Sequence, residues 1–266
     1  MSGLRLSALY RYPVKSLAGQ PLQQVGLDRF GLQADRRWML VDREGRFLTQ
    51  RELPRMALIT PRLEVQGLLL QAPEMQAISV LQPDTEAERI QVRVWHDHCQ
   101  AQLAEATANS WLSEFLGLPC RLVYMPDESV RRVDSRYATQ QDQTAFSDGF
   151  PLLLISQASL DDLNSRLAEP LPMLRFRPNL VVEGCEPYAE DGWRQIRIGE
   201  LTLRVVKPCS RCKITTVDPY TAETGSEPLK TLASYRRRGN QVYFGQNLLH
   251  DGPGELALGM PLEVLA

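Results

Sequence analysis

With 266 residues, of which 43% are hydrophobic and 23% charged, the chain can bury a sizeable core without disulfides or a structural metal, and no low-complexity tract suggests disorder. A net charge of −2 argues against general nucleic-acid binding, which needs a clustered excess of base. The longest apolar runs, such as Pro151 to Ser156, fall far short of the roughly 20 residues of a membrane span, and Met1-Ser2-Gly3-Leu4-Arg5 has no apolar signal core. No membrane association and a cytoplasmic location are therefore expected.

In chain order, short strands are expected first: Leu4–Tyr10, Trp38–Asp42, Arg46–Gln50, Ala57–Val65, Leu68–Gln71, Ile78–Leu81 and Ile90–Val94. Asp42-Arg43-Glu44-Gly45-Arg46 after Trp38-Met39-Leu40-Val41 reads as a hairpin turn with a glycine. Ala104–Leu116 has helical spacing, with Ala104, Ala108, Trp111, Leu112 and Phe115 on one face and Gly117 and Pro119 ending it. Residues 126–150 are polar and without period, a connection or a loop ordered by a ligand. Beyond them a helix is expected over Gln157–Leu167 after Ser156 as N-cap, then strands at Asn179–Glu183, Gln195–Ile198 and Leu201–Val206. A second helix, Glu227–Arg237, carries Pro228 in its first turn, and residues 254–265 read as two closing strands. This is a β-rich α+β pattern in two domains, 1–125 barrel-like and 126–266 with strands and peripheral helices.

Five cysteines, at 99, 120, 185, 209 and 212, form no disulfide framework, so free thiols in a reducing compartment are expected. Cys209-Ser210-Arg211-Cys212 lies among Lys207, Arg211 and Lys213, and positive charge beside a thiol favours thiolate, a soft metal ligand and nucleophile. Four readings compete. The pair can be two inert thiols. A structural zinc site lacks a second Cys-x-x-Cys, with only His96, His98 and His250 available. A thioredoxin-like pair opens a helix, whereas the β-branched Ile214-Thr215-Thr216-Val217 favours a strand. The fourth is one thiolate ligating a redox metal carried by an anionic organic cofactor.

That last reading calls for oxyanion-binding groups elsewhere. Tyr12-Pro13-Val14-Lys15-Ser16, Asp35-Arg36-Arg37-Trp38 and Arg175-Phe176-Arg177-Pro178-Asn179 each place a base beside an expected strand. Only Lys15, Lys207, Lys213 and Lys230 among the 30 basic residues are lysine; the rest are arginine, whose planar fork suits oxyanions, although genomic base composition gives the same bias.

Together with Ala158-Ser159-Leu160-Asp161-Asp162-Leu163-Asn164, Tyr188-Ala189-Glu190-Asp191-Gly192-Trp193, Thr215-Thr216-Val217-Asp218-Pro219 and Phe244-Gly245-Gln246-Asn247, these segments run almost end to end. In this order they resemble the MOSC-domain proteins with an N-terminal β-barrel domain, the group of the mitochondrial amidoxime-reducing component and its bacterial relatives. The resemblance implies a molybdenum–molybdopterin cofactor with Cys212, not Cys209, as the metal ligand and catalytic residue. It places Lys15, Ser16, Arg36, Arg177, Asn179, Ser210 and Arg211 around the pterin and its phosphate, with Asp148 and Asn247 approaching it too. It implies reduction of N-hydroxylated compounds such as hydroxylamines, amidoximes and N-hydroxylated bases. With Ala266 directly after the closing strands and no apolar segment at Met1, neither the iron–sulfur domain of some bacterial members nor the anchor of the animal ones is expected. Electrons are therefore expected from a separate donor, a flavin or iron–sulfur reductase. MOSC domains also form the cofactor-binding part of molybdenum-cofactor sulfurases, so a cofactor or persulfide carrier is the alternative; the pyridoxal phosphate-dependent desulfurase region of those proteins is not expected here.

Overall fold

A computed structural model describes residues 3–266; Met1 and Ser2, part of the start read as lacking a signal core, lie outside the described residues. Strand β1 (Arg5–Arg11) falls where alternation put it, followed by the short β2 (Gln20–Leu22), β3 (Gln24–Asp28) and β4 (Gly31–Leu32). β5 (Trp38–Val41) is buried throughout, and the Asp42 carboxylate then accepts from the amides of Glu44 and Arg46 to close the expected turn. The returning Arg46–Gln50 is not a strand. Phe47 bridges Val41 while Arg46 bridges Arg93, so successive residues face different partners and no ladder forms.

The expected strand Ala57–Val65 also divides. Pro54, with its φ already helical, opens a 3-10 turn over Pro54–Leu58 that buries Met56 and Ala57, leaving β6 as Thr60–Glu64. β7 (Gly67–Gln71), β8 (Ile78–Leu81) and β9 (Arg89–Val94) match their alternation, and β10 (Asp97–Leu103) adds a strand. Helix α1 (Ala106–Leu116) buries Ala108, Trp111, Leu112 and Phe115, and ends on Gly117 at φ +72°. β11 (Arg121–Tyr124) precedes a long irregular passage pinned by the buried Arg131, which donates to Asp97 and to the carbonyls of Ala145, Ser147 and Asp148.

β12 (Leu152–Ser156) runs directly into α2 (Gln157–Asn164), where the Ser156 hydroxyl caps the amide of Ser159. The helix stops three residues short of Leu167. β13 (Leu180–Glu183), β14 (Gln195–Ile198) and β15 (Leu201–Arg211) follow, the last extending through Cys209. Ile214–Val217 is not the expected strand: Lys213–Thr216 form a 3-10 turn, because the Thr215 and Thr216 hydroxyls donate back to the carbonyls of Cys212 and Lys213. α3 spans only Leu229–Tyr235, with Pro228 as its cap and not within its first turn. β16 (Arg237–Arg238), β17 (Gln241–His250), β18 (Gly254–Ala257) and β19 (Leu262–Val264) complete the chain.

The largest sheet runs β19-β14-β15-β17-β12-β13-β1-β2, with β16 on β17; its only parallel pair on this path is β12 with β13. Smaller sheets are β5-β11-β10-β9, β18-β3-β4 and β6-β7-β8. The two closing strands thus join different sheets. One core lies under α1 and includes Trp38, Leu68, Leu70 and Trp111; another lies on the large sheet around Leu154, Leu180, Leu203 and Leu248. The fold is β-rich, with few helices, as its sequence indicates.

The pairing of β15 with β17 shifts register between Val205 and Lys207 and again between Pro208 and Ser210. Pro208 cannot donate to a ladder, so a central strand accommodates it by an irregularity, and such bulges bend the strand and re-aim its side chains. Opposite, Gly245 has φ +82° and sits so close to Ile155 that an added Cβ would lie 2.6 Å from its Cγ1. These two irregular strands place Cys209, Ser210 and Asn247 at one end of the sheet.

Candidate active site

That end of the sheet borders a cleft with a cavity volume of about 120 Å³. All ten residues singled out from the sequence line it: Lys15, Ser16, Arg36, Asp148, Arg177, Asn179, Ser210, Arg211, Cys212 and Asn247. They come from six places. Lys15 and Ser16 follow β1, Arg36 precedes β5, Asp148 precedes β12, Arg177 and Asn179 precede β13, and Asn247 lies in β17. The remaining three surround the end of β15, with Cys212 capping the turn that follows.

The backbone is unusual at this lining. Ser16, Arg36 and Arg177 have φ of 63°, 50° and 56°, a left-handed conformation that branched or long side chains adopt at a cost of about 1–3 kcal/mol. Such strain persists where neighbours over-determine it. Arg36 is held by Asp35 and donates to Oδ1 of Asn179 and the carbonyl of Arg177, both at 3.2 Å. Its guanidinium and that of Arg177 pack on the buried Tyr12 ring, 4.5 and 4.2 Å from the centroid. Arg177 Nη1 donates to the carbonyl of Leu17 at 2.7 Å.

Asn179 is buried and its amide is engaged within the protein. Oδ1 accepts from Arg36 and from the Leu153 amide, and Nδ2 donates to the carbonyl of Tyr10. Its geometry is that of a residue fixing Arg36 and the chain at Tyr10 and Leu153. Arg211 donates from Nη2 to the carbonyl of Phe176 at 2.6 Å and from Nη1 to Sγ of Cys209 at 3.0 Å. Among the described residues, Nη2 of Arg177 and Nε of Arg211 are buried without a hydrogen-bond partner.

Lys15 is buried and donates to the Phe146 carbonyl at 2.7 Å and to Asp148 at 2.5 Å. Burial pulls its ammonium down to about 8, and Asp148 opposes the fall. Enclosure would raise the Asp148 carboxyl, but Lys15 overrides it, helped by Arg51 and Trp95, and holds the group well below the usual carboxylate range. The Asp148 side chain keeps 58% of its surface open, so the surrounding cations dominate its behaviour. Burial likewise lowers Arg177, to about 10, which leaves it charged at neutral pH.

Two residues of this network carried no signal in the sequence. Nη1 of Arg51 stands 3.6 Å from Sγ of Cys212, across 161 residues of chain, and Nε1 of Trp95 donates to Asp148 at 3.2 Å. Phe150, Leu152, Leu153, Phe176 and Ile214 supply apolar lining. Among the described residues, no three His, Cys, Asp or Glu side chains converge as a metal site, and the soft donors in the lining are Cys209 and Cys212, set among cations.

Residues 3–119 match the MOSC N-terminal beta barrel domain and residues 141–263 the MOSC domain. The chain belongs to the MOSC family. It is 36% identical to mitochondrial amidoxime-reducing component 1 of mouse, the alignment covering 98% of this chain and 82% of that one, and equally so to the human protein with the same coverage. It is also 32% identical to molybdenum cofactor sulfurase of rice, over 99% of this chain and 35% of the longer protein. This MOSC protein has, among its described residues, no helix long and apolar enough to cross a membrane.

Proposed function

We propose that the chain is a molybdenum-cofactor-dependent oxidoreductase that reduces N-hydroxylated small molecules with electrons from a separate donor protein. The observation that carries this reading is the Cys212 thiol, with the Cys209 sulfur beside it already engaged by Arg211, set in a cleft whose remaining polar lining suits an oxyanion. A metal held there needs most of its ligands supplied by the molecule that carries it, as a pterin dithiolene does. The residues fit such a group. The unpartnered Nη2 of Arg177 and Nε of Arg211 are donors suited to a phosphate or a pterin oxygen, and Lys15, Arg36, Ser16 and Ser210 stand beside them.

In this assignment Lys15, Arg36, Arg177 and Arg211 balance the negative charge of the cofactor, Ser16, Ser210 and Asn247 offer neutral hydrogen bonds, and Asn179 and Asp148 hold Arg36 and Lys15 in place. Cys212 Sγ is the protein ligand. When bound, the cofactor supplies two-electron cleavage of an N–O bond, in which an N-hydroxylated substrate, two electrons and two protons give the amine or amidine and water. Phe150, Phe176 and Ile214 give the cleft an apolar share of its lining, and Lys15 keeps a proton on Nζ at neutral pH. The amidoxime-reducing relatives support the substrate class.

A carrier of the cofactor or of a persulfide is the second reading, favoured by the match to the sulfurase over nearly the whole of this chain. Metal and pterin content after expression in a cofactor-competent host decides between them in combination with an aryl amidoxime assay. Wild type and Cys209→Ser should carry near-stoichiometric molybdenum and reduce the amidoxime with an artificial reductant, while Cys212→Ser loses the metal and the activity. Molybdenum without amidoxime turnover would favour the carrier, and absence of both metal and pterin from wild type would sink either cofactor role.

A further inference from the structure

Arg51 reaches Cys212 from the N-terminal half of the chain, and three neighbours fix it there. Its Nη1, 3.6 Å from Sγ, lies 3.8 Å from Oδ2 of Asp148. Its guanidinium stacks 4.5 Å from the centroid of Trp95 and 5.8 Å from that of Phe47. Trp95 is in turn tied to the same carboxylate through Nε1 and packs on Phe47 with centroids 5.1 Å apart. An arginine on a surface normally extends its head into water. This one is held to 17% exposure with its head turned onto a sulfur.

The clamp itself is strained. Trp95 opens the two-residue turn between β9 and β10 with φ +58°, a position where a bulky aromatic is an outlier, and it is 44% exposed. Neither core packing nor the turn calls for tryptophan there. What its ring does is cover Arg51 and bind Asp148, the carboxylate that also holds Lys15. A guanidinium directed at a thiolate draws electron density from sulfur, and hydrogen bonds to a metal-bound thiolate tune its potential.

We propose that Arg51, clamped by Trp95 and Asp148, is a positioning residue that orients the Cys212 thiolate and limits its electron donation, thereby raising the reduction potential of the metal it ligates. The electronic half of this assignment rests on the cofactor-dependent reading of the cleft; the contact with Cys212 does not.

Two measurements keep the two apart. In cofactor-loaded protein, the midpoint potential of molybdenum is followed by paramagnetic-resonance-monitored titration in wild type, Arg51→Met, Arg51→Lys and Trp95→Phe, with molybdenum content measured beside it. Arg51→Met should shift the potential downward, Arg51→Lys should recover part of the shift, and Trp95→Phe should fall between wild type and Arg51→Met. In the full chain freed of cofactor, the rate of Cys212 alkylation by iodoacetate is divided by that by iodoacetamide at one pH, each read on the Cys212 peptide by mass spectrometry. The quotient cancels the thiolate population and reports local positive charge. Arg51→Met should lower it several-fold, and Arg51→Lys should stay within about twofold of wild type, because charge at this range is what acts. An unchanged quotient, or an unchanged potential at normal molybdenum content, in Arg51→Met overturns the proposal. Wild type without molybdenum defeats the cofactor reading instead, and the quotient alone then decides whether Arg51 acts on Cys212.

Discussion

The hairpin sheet β6-β7-β8 and the cleft are built on opposite rules. In β7, Leu68 and Leu70 are fully buried under α1 while Leu69 between them is half-exposed, so each side chain is explained by the face it occupies. In the cleft, Ser16, Arg36 and Arg177 hold left-handed backbone, two guanidinium nitrogens lack partners, and Lys15 is buried. The first region is selected for packing. The second keeps features that oppose folding, which the proposed anionic cofactor would account for.

The sharpest way to break this contrast is a pair of substitutions. Leu70→Ala should destabilise the protein by about 2–5 kcal/mol in urea unfolding, through lost burial and the cavity left behind, while the folded fraction binds sulfate as wild type does. Arg177→Met should do the reverse. Removing a charged donor should weaken sulfate binding about tenfold or more by calorimetry, in line with about 1.5–3 kcal/mol for a charged hydrogen bond. Its unfolding free energy should change by less than about 1 kcal/mol, because methionine keeps much of the stem that covers Tyr12 and an unpaired buried nitrogen is removed. Equal loss of stability in both variants would erase the distinction.

A smaller effect should appear with pH. Lys15 has its ammonium lowered from 10.5 to about 8, so its burial opposes folding in full below pH 8, where it is charged in folded and unfolded chains alike. That opposition fades as pH rises from 8 toward 10.5. Asp148, held low in the fold, contributes stability that is full above the usual carboxylate range and is lost as pH falls from that range toward its own, lower value. Anion binding follows the Lys15 charge directly: sulfate affinity should fall a few-fold between about pH 7 and 9. Lys15→Arg, which stays charged, should flatten that decline; an identical decline in the variant would assign it to another group.

The same contrast explains what the sequence made legible. α1 was readable to within two residues because Ala108, Trp111, Leu112 and Phe115 repeat at helical spacing and Gly117 ends it. β10 escaped notice because its buried residues, Cys99 and Ala101 among them, are small and flanked by histidine and glutamine. β17 contains Gly245, Gln246 and Asn247, residue types depleted in strands, and is held by its two neighbours more than by its own propensity. At the cleft, a family resemblance supplied ten lining residues, since their motifs are local in sequence. Arg51 and Trp95 have no such motif: their partners, Cys212 and Asp148, lie 161 and 53 residues away, and only the folded chain brings them together.

β1 pairs with β13, joining Arg5 to Glu183, while the backbone at Leu4 and Leu6 is bonded to Leu262 and Met260. The stretch that carries Lys15 and Ser16 is therefore anchored by strands made late in translation. A nascent chain has synthesised Arg36 and Arg51 long before Cys212 leaves the ribosome, and non-local pairing of this span closes slowly. The cleft has no existence as a half-made object. Its lining runs from Lys15 to Asn247, so a chain interrupted before Asn247 carries an incomplete cleft.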